Sequence, residues 1–142
     1  MTVLNEDVFS ACDLTSVTIS DSVITIGESA FSYNENLTAI TIPNSVTTIG
    51  EGAFSECTSL AAMNIPSSVT VIGKSAFSKC NAFTAITLPD NLESIGDYAF
   101  YHCENLTSIT WKGTTYTVDT RTAFHNALID AGVAERDFVW MI

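Results

Sequence analysis

Apolar positions along the chain recur in the form apolar-x-x-apolar-x-apolar at Leu14–Ile19, Leu37–Ile42, Leu60–Ile65, Phe83–Leu88 and Leu106–Trp111. The last two apolar positions of each segment alternate with small polar residues, which is the period of a half-buried strand. Pro43, Pro66 and Pro89 follow three of these segments, and Ser20 follows the first. Proline has no N–H to give a ladder, so the predicted strands end there. Val23/Ile26, Val46/Ile49, Val69/Ile72 and Leu92/Ile95 then form a short inward-facing return. Gly27, Gly50, Gly73 and Gly96 come next, where the pattern calls for positive φ or a tight corner. Each glycine precedes a short helical turn, Glu51–Ser55 in the second full copy, whose Ala-Phe pair points inward. Phe31, Phe54, Phe77 and Phe100 are expected to stack as one aromatic column.

These signals share one period. Ile65-Pro66, Ile72-Gly73, Ala76-Phe77 and Cys80 fall on Leu88-Pro89, Ile95-Gly96, Ala99-Phe100 and Cys103, each 23 residues later. A fixed period in this range marks a solenoid, in which a repeat buries its apolar face only against its neighbours. The chain opens inside a repeat: Leu4–Phe9 aligns with Ile26–Phe31, and Cys12 takes the repeated Cys position. A natural cap and a cut through a longer array both fit this half-repeat.

The period breaks after Trp111. Trp111–Val118 reads as a hairpin with Lys112-Gly113 at its turn. Asp119 is placed to N-cap a helix to about Ala131, with Ala123, Phe124, Ala127, Leu128 and Ala131 on its apolar face and Gly132 as its stop. The tail Asp137–Ile142 is too apolar to float free and is expected to add a strand or dock. The domain reading is a single unit over residues 1–142, with repeats over 4–111 and a C-terminal cap over 112–142.

The pattern L-x-x-I-x-I-P-x-S-V-x-x-I-G-x-x-A-F-x-x-C, found at Leu37 to Cys57 and with small changes at Leu60 to Cys80 and Phe83 to Cys103, resembles the BspA-like leucine-rich repeat family. Departures are Ser20 for Pro, Asn34 for Cys, Phe83 for Leu, and one residue fewer between Cys12 and Leu14. The resemblance implies an α/β repeat solenoid, with a parallel β-sheet on one face and short helical or 3-10 turns on the other. It also implies an extracellular or cell-surface location in host-associated bacteria or protozoa, and adhesion among the roles. Similar repeats occur in proteins of bacterial viruses.

Composition narrows the function classes. Sixteen acidic residues against five basic ones give a net charge of −11, a field that repels nucleic-acid phosphate and anionic lipid. Nucleic acid is therefore not an expected partner. The longest apolar run, Phe138–Ile142, is far below the roughly 20 residues of a membrane-spanning helix. The first ten residues carry acids and no Lys or Arg, unlike a signal peptide. The chain itself thus fixes no location.

Candidate chemistry is sparse. Cys12, Cys57, Cys80 and Cys103 occupy one rung position, and a ladder of thiols does not converge on a tetrahedral metal. All four are expected to be reduced and buried, acting as small hydrophobes. His102 and His125 stand far apart in the repeat scheme without a Ser or Cys nucleophile motif. Neither paired carboxylates nor a phosphate loop is evident, and the expectation is no catalytic, cofactor or metal site. Glu28, Glu51, Lys74 and Asp97 share one outer rung position, and Glu56 neighbours Lys79 at another, which reads as charge balance along the stack. The candidate binding face is the outward side of the strands: Ser16, Ala39, Ala62, Ala85 and Ser108 in one column, and Thr18, Thr41, Asn64, Thr87 and Thr110 in the next. Solenoids commonly engage partners on such a sheet. This face nevertheless lacks the Trp, Tyr and Arg of typical hot spots.

The reading is a non-catalytic protein-interaction or adhesion module that meets a protein or host-surface ligand. The alternative is a structural spacer or virion component without a dedicated ligand. Self-association is expected to use the N-terminal rung or the C-terminal tail.

Overall fold

The computed structural model describes residues 2–134. Its strands, in chain order, are β1 (Val3–Leu4), β2 (Ser16–Thr18), β3 (Thr25–Ile26), β4 (Ala39–Thr41), β5 (Thr48–Ile49) and β6 (Ala62–Asn64). There follow β7 (Val71–Ile72), β8 (Ala85–Thr87), β9 (Ser94–Ile95), β10 (Ser108–Trp111) and β11 (Thr114–Thr117). A 3-10 turn at Val118–Thr120 leads into one helix, α1 (Arg121–Asp130).

The predicted period is the ladder register. Thr25 pairs with Thr48 and Thr48 with Val71, while Ser16 pairs with Ala39 and Ala39 with Ala62, all parallel. The first rung is one residue shorter, so Val3 pairs with Thr25. The ladders occupy less than the apolar segments that announced them: Leu14–Ile19 contributes only Ser16–Thr18, since Leu14 already spends its N–H on the Asn34 side chain.

The inward return proves to be strand as well. β1, β3, β5, β7 and β9 form a five-stranded parallel sheet, giving each rung a second sheet side. The sheet holding the candidate face divides into β2-β4-β6 and β8-β10-β11. The division falls at Met63, half-buried like Val17 in a column that also holds buried Ile40, Ile86 and Ile109, and where Phe83 replaces Leu.

The third side is a layer of turns. Ala30, Ser32, Ser55 and Ser78 donate to the carbonyl three residues back, as in a 3-10 helix. A continuous helix is prevented by left-handed residues twice per rung: Ser29, Gly52, Ser75 and Tyr98 in one column, and Tyr33, Glu56, Lys79 and His102 in the other. Those residues turn their N–H groups to the next rung, as when Ser29 N–H donates to Glu51 O at 2.8 Å and Lys79 N–H to Tyr101 O at 2.7 Å. The layer is a hydrogen-bonded ladder in its own right.

The rung glycines serve close approach. Gly27, Gly50, Gly73 and Gly96 lack positive φ, but a Cβ on Gly73 would lie 2.5 Å from the backbone nitrogen of Glu51. Glycine is there because the preceding rung's backbone occupies the side-chain position.

The core runs through all rungs. The phenylalanine column forms as expected and extends to Phe9, with ring centroids 5.4 to 5.7 Å apart and planes within 19°. Offset stacking of this kind adds to the burial of the rings.

The C-terminal end is covered. β11 pairs antiparallel with β10 through a Lys112-Gly113 turn with positive φ at both residues, a type I′ hairpin. Lys112 Nζ lies 4.7 Å from the centre of the Trp111 ring, whose N–H donates to Pro89 O. Asp119 does not cap the helix. It lies inside the 3-10 turn, Thr120 holds the N-cap position, and the Thr120 hydroxyl accepts instead from Thr117 N–H. Phe124 and Leu128 are fully buried and Ala127 is half-buried, whereas Ala123 and Ala131 face solvent. Gly132, at φ 73°, ends the helix in a Schellman motif: its N–H reaches Ile129 O, and Val133 N–H reaches Leu128 O. Val133 O then accepts from Ile95 N–H, closing the last edge of the five-stranded sheet. The expected strand or docking of Asp137–Ile142 lies outside the described residues.

Candidate functional site

The repeated cysteine position is structural. Cys57, Cys80 and Cys103 are free and buried, and their thiols donate to the carbonyls of Phe31, Phe54 and Phe77 in the preceding rung at 3.2, 3.2 and 3.0 Å. Burial pushes the Cys57 thiol up to about 11 and the Cys103 thiol up to about 12, and it raises Cys80 in the same direction. Such thiols are poor nucleophiles. Asn34 fills the same role where Cys is missing. Its amide donates to Phe9 O and Phe31 O, both at 2.9 Å, and its oxygen accepts from Leu14 N–H. A buried amide so fully partnered explains how the polar substitution is tolerated. Cys12 departs from the expectation of four buried thiols, because it lies on the outermost half-rung and is exposed.

The candidate sheet face is assembled in register. Ser16, Ala39 and Ala62 align across β2, β4 and β6, as do Thr18, Thr41 and Asn64. Ala85 aligns with Ser108 and Thr87 with Thr110 across β8 and β10. Ser16, Thr18, Ala39, Thr41, Asn64, Ala85 and Thr87 are exposed. Ser108 and Thr110 are half-buried, and Thr110 shares its hydroxyl with Thr115 at 2.9 Å. Between β4 and β6 the face carries a shallow depression of about 430 Å³ bordered by Ile40, Met63 and Asn64. It offers small uncharged groups and no aromatic ring.

The turn layer holds a second concavity of about 460 Å³ that combines Tyr98 and Tyr101 with Ser55, Ser75 and Ser78. Glu56 and Lys79 complete its lining as an ion pair at 2.5 Å across adjacent rungs. The hydrogen bond to Glu56, and then its charge, push the Lys79 ammonium's pKa up. The Tyr98 and Tyr101 rings meet edge to face at 5.3 Å, and His102, exposed beside them, packs at 4.1 Å from Tyr101. Sequence reasoning weighed this charge pair only as neutralisation and passed over the tyrosines. Reading each turn position down the stack would have found them, since Tyr98 stands below Ser29, Gly52 and Ser75.

The N-terminal end contrasts with the closed C-terminal end. Val3, Val8, Phe9 and Ile24 are exposed at 42, 40, 37 and 46%, and they are the exposed large aliphatic and phenylalanine side chains among the described residues. A cleft of about 170 Å³ opens beside Phe9, walled also by Leu4, Val17, Ile19, Val23 and Phe31. β1 and β2 are the terminal strands of their sheets. Glu6, Asp7, Asp13, Asp21 and Glu28 surround this end, and no Lys or Arg precedes Lys74. Among the described residues no cluster of three metal-ligating side chains occurs, and no helix is long and apolar enough to cross a membrane.

Comparison with solved structures places the chain beside three bacterial proteins. A leucine-rich repeat protein from Bacteroides ovatus is 36% identical with a TM-score of 0.73, over 77% of this chain and 28% of that one. The T. pallidum leucine-rich repeat protein is 34% identical with a TM-score of 0.75, over 76% of this chain and 51% of that one. A leucine-rich cell surface protein from Faecalibacterium prausnitzii is 30% identical with a TM-score of 0.73, over 80% of this chain and 30% of that one. The chain thus spans about half or less of the length of these relatives. A search of curated proteins finds no match. The family profile described as the BspA type leucine-rich repeat region matches six copies over residues 2–129, and with the register and turn ladder above it shows that the chain belongs to the BspA-type leucine-rich repeat family.

Proposed function

We propose that this chain is a non-catalytic protein-interaction module whose contact surface is the outward sheet face from Ser16 to Thr110. The observation that carries this is the in-register alignment of exposed Ser16, Thr18, Ala39, Thr41 and Asn64 across β2, β4 and β6, with a shallow depression of about 430 Å³ between β4 and β6. Solenoids commonly engage partners on such a sheet. The partner is a protein surface that lies against small uncharged groups and sets an apolar side chain beside Ile40 and Met63.

Adhesion at a cell surface is the extension of this reading. Its support is the likeness to the Faecalibacterium prausnitzii cell surface protein.

The test compares two double variants in binding to surface proteins purified from host epithelial cells. Thr41→Lys with Thr87→Lys is expected to abolish binding, and Val8→Lys with Ile24→Lys to leave it within about twofold. The reverse outcome assigns the contact to the first rungs. A concentration-dependent dimer broken by the first pair assigns it to a second copy, and no binding by the parent favours the structural spacer.

A further inference from the structure

We infer that the concavity in the turn layer is a binding site for a neutral saccharide, distinct from the protein contact on the sheet face. Three features of its lining point to this ligand class. Tyr98 and Tyr101 supply two aromatic surfaces set edge to face at 5.3 Å. A sugar presents one flank of C–H groups and a rim of hydroxyls, so a ring face receives the flank while phenolic oxygens and neighbouring polar groups receive the rim. Ser55, Ser75 and Ser78 also line the concavity, and a serine hydroxyl is both donor and acceptor.

The charge is also matched to a neutral guest. Lys79 and Glu56 are bound to each other at 2.5 Å, so the site carries a fixed donor and a fixed acceptor with no net charge. An anionic guest would approach against the −11 field of the chain and find its one cation already paired. A peptide hot spot would need an apolar recess, and no Leu, Ile, Val or Met lines this concavity. Its volume of about 460 Å³ fits a few sugar rings, and its shallow form suits a chain lying across the rungs.

Tyr98 adds a backbone argument. It holds φ at 60° in a column where Gly52 fills the equivalent place. A bulky side chain in the left-handed region is costly, and the fold does not require one there. The tyrosine is thus free to be exchanged for the residue the backbone prefers, which makes a clean variant.

The experiment is an NMR saturation-transfer and calorimetric titration of the full chain with maltohexaose, cellohexaose, mannohexaose and N-acetylchitohexaose, with a heparin hexasaccharide as the anionic control. At least one neutral hexasaccharide is expected to bind with a Kd of about 1 mM or tighter. Tyr98→Gly and Tyr101→Ala are each expected to weaken that binding about tenfold or more with the melting temperature of Tyr98→Gly maintained. Thr41→Lys with Thr87→Lys is expected to leave it unchanged. Absence of binding by all four neutral sugars up to about 10 mM overturns the inference. So does binding that survives Tyr98→Gly, or heparin binding tighter than that of every neutral sugar.

Discussion

At the residue scale the repeated positions do different work than their types suggest. A Cβ on Gly73 would lie 2.5 Å from the backbone nitrogen of Glu51, whereas one on Gly52, at φ 61°, would meet nothing closer than the Ser29 hydroxyl at 3.3 Å. Gly73→Ala is therefore expected to cost more than about 3 kcal/mol, because a rung must move. Gly52→Ala is expected to cost about 1–2 kcal/mol, the penalty of a left-handed alanine. Urea titration of both variants checks the order, and equal losses would contradict the packing. The sequence showed that these glycines recur but not which constraint each obeys, since positive φ and steric exclusion both read as Gly.

The thiols make a second test at this scale. With disulfide reagent at neutral pH, Cys12 is expected to react at once, and Cys57, Cys80 and Cys103 only in denaturant. Two or more fast thiols would contradict the buried ladder. Raised native pKa values also set a pH dependence. Unfolded thiols ionise near pH 8.5, so above that pH the unfolded state binds fewer protons and stability falls as pH rises. The loss accumulates as the pH climbs toward the native values of about 11 for Cys57 and about 12 for Cys103. Replacing Cys80 with Ala is expected to flatten the alkaline limb of a stability–pH curve. The period marked the cysteine column, but not that its first member, on the first half-rung, is exposed.

At the element scale the strands and the phenylalanine column were legible because they repeat, and repetition amplifies a weak local signal. Phe77 is fully buried between Phe54 and Phe100, and Thr87 faces solvent on β8. Phe77→Ala is expected to cost about 3–5 kcal/mol, and Thr87→Ala within about 0.5 kcal/mol, read by thermal or chemical melting. The cap was less legible. Hairpin and helix were readable from Lys112-Gly113 and from Phe124 and Leu128, but the N-cap was misplaced because a 3-10 turn intervened between Val118 and Thr120. The closing bond from Ile95 to Val133 O pairs residues far apart in sequence, which no local pattern announces. Removing residues 119–142 takes away that bond and the buried Phe124 and Leu128. The truncated chain is expected to aggregate, and light scattering from a soluble, cooperatively melting monomer would contradict the cap.

At the scale of the whole molecule the stack presents its faces unequally. Hairpin, helix and Val133 cover the last described rung, and the faces of the rungs before it are columns of equivalent positions. Composition revealed the acidic charge but not that the sheet face is free of it, since Ser16, Thr18, Ala39, Thr41, Asn64, Ala85 and Thr87 are exposed and uncharged. That face was legible in the sequence because strand alternation is easy to read, whereas the second sheet and the turn-layer concavity are properties of the assembled rungs. The central claim is that the sheet face takes a protein partner. Cross-saturation NMR on the labelled chain mixed with the epithelial surface proteins tests it most directly. Attenuation confined to Ala39–Thr41, Met63, Asn64 and Ala85–Thr87, and lost in Thr41→Lys with Thr87→Lys, is the predicted result. Attenuation centred on Val8 and Ile24 or on Tyr98 and Tyr101, or none at all, would contradict it.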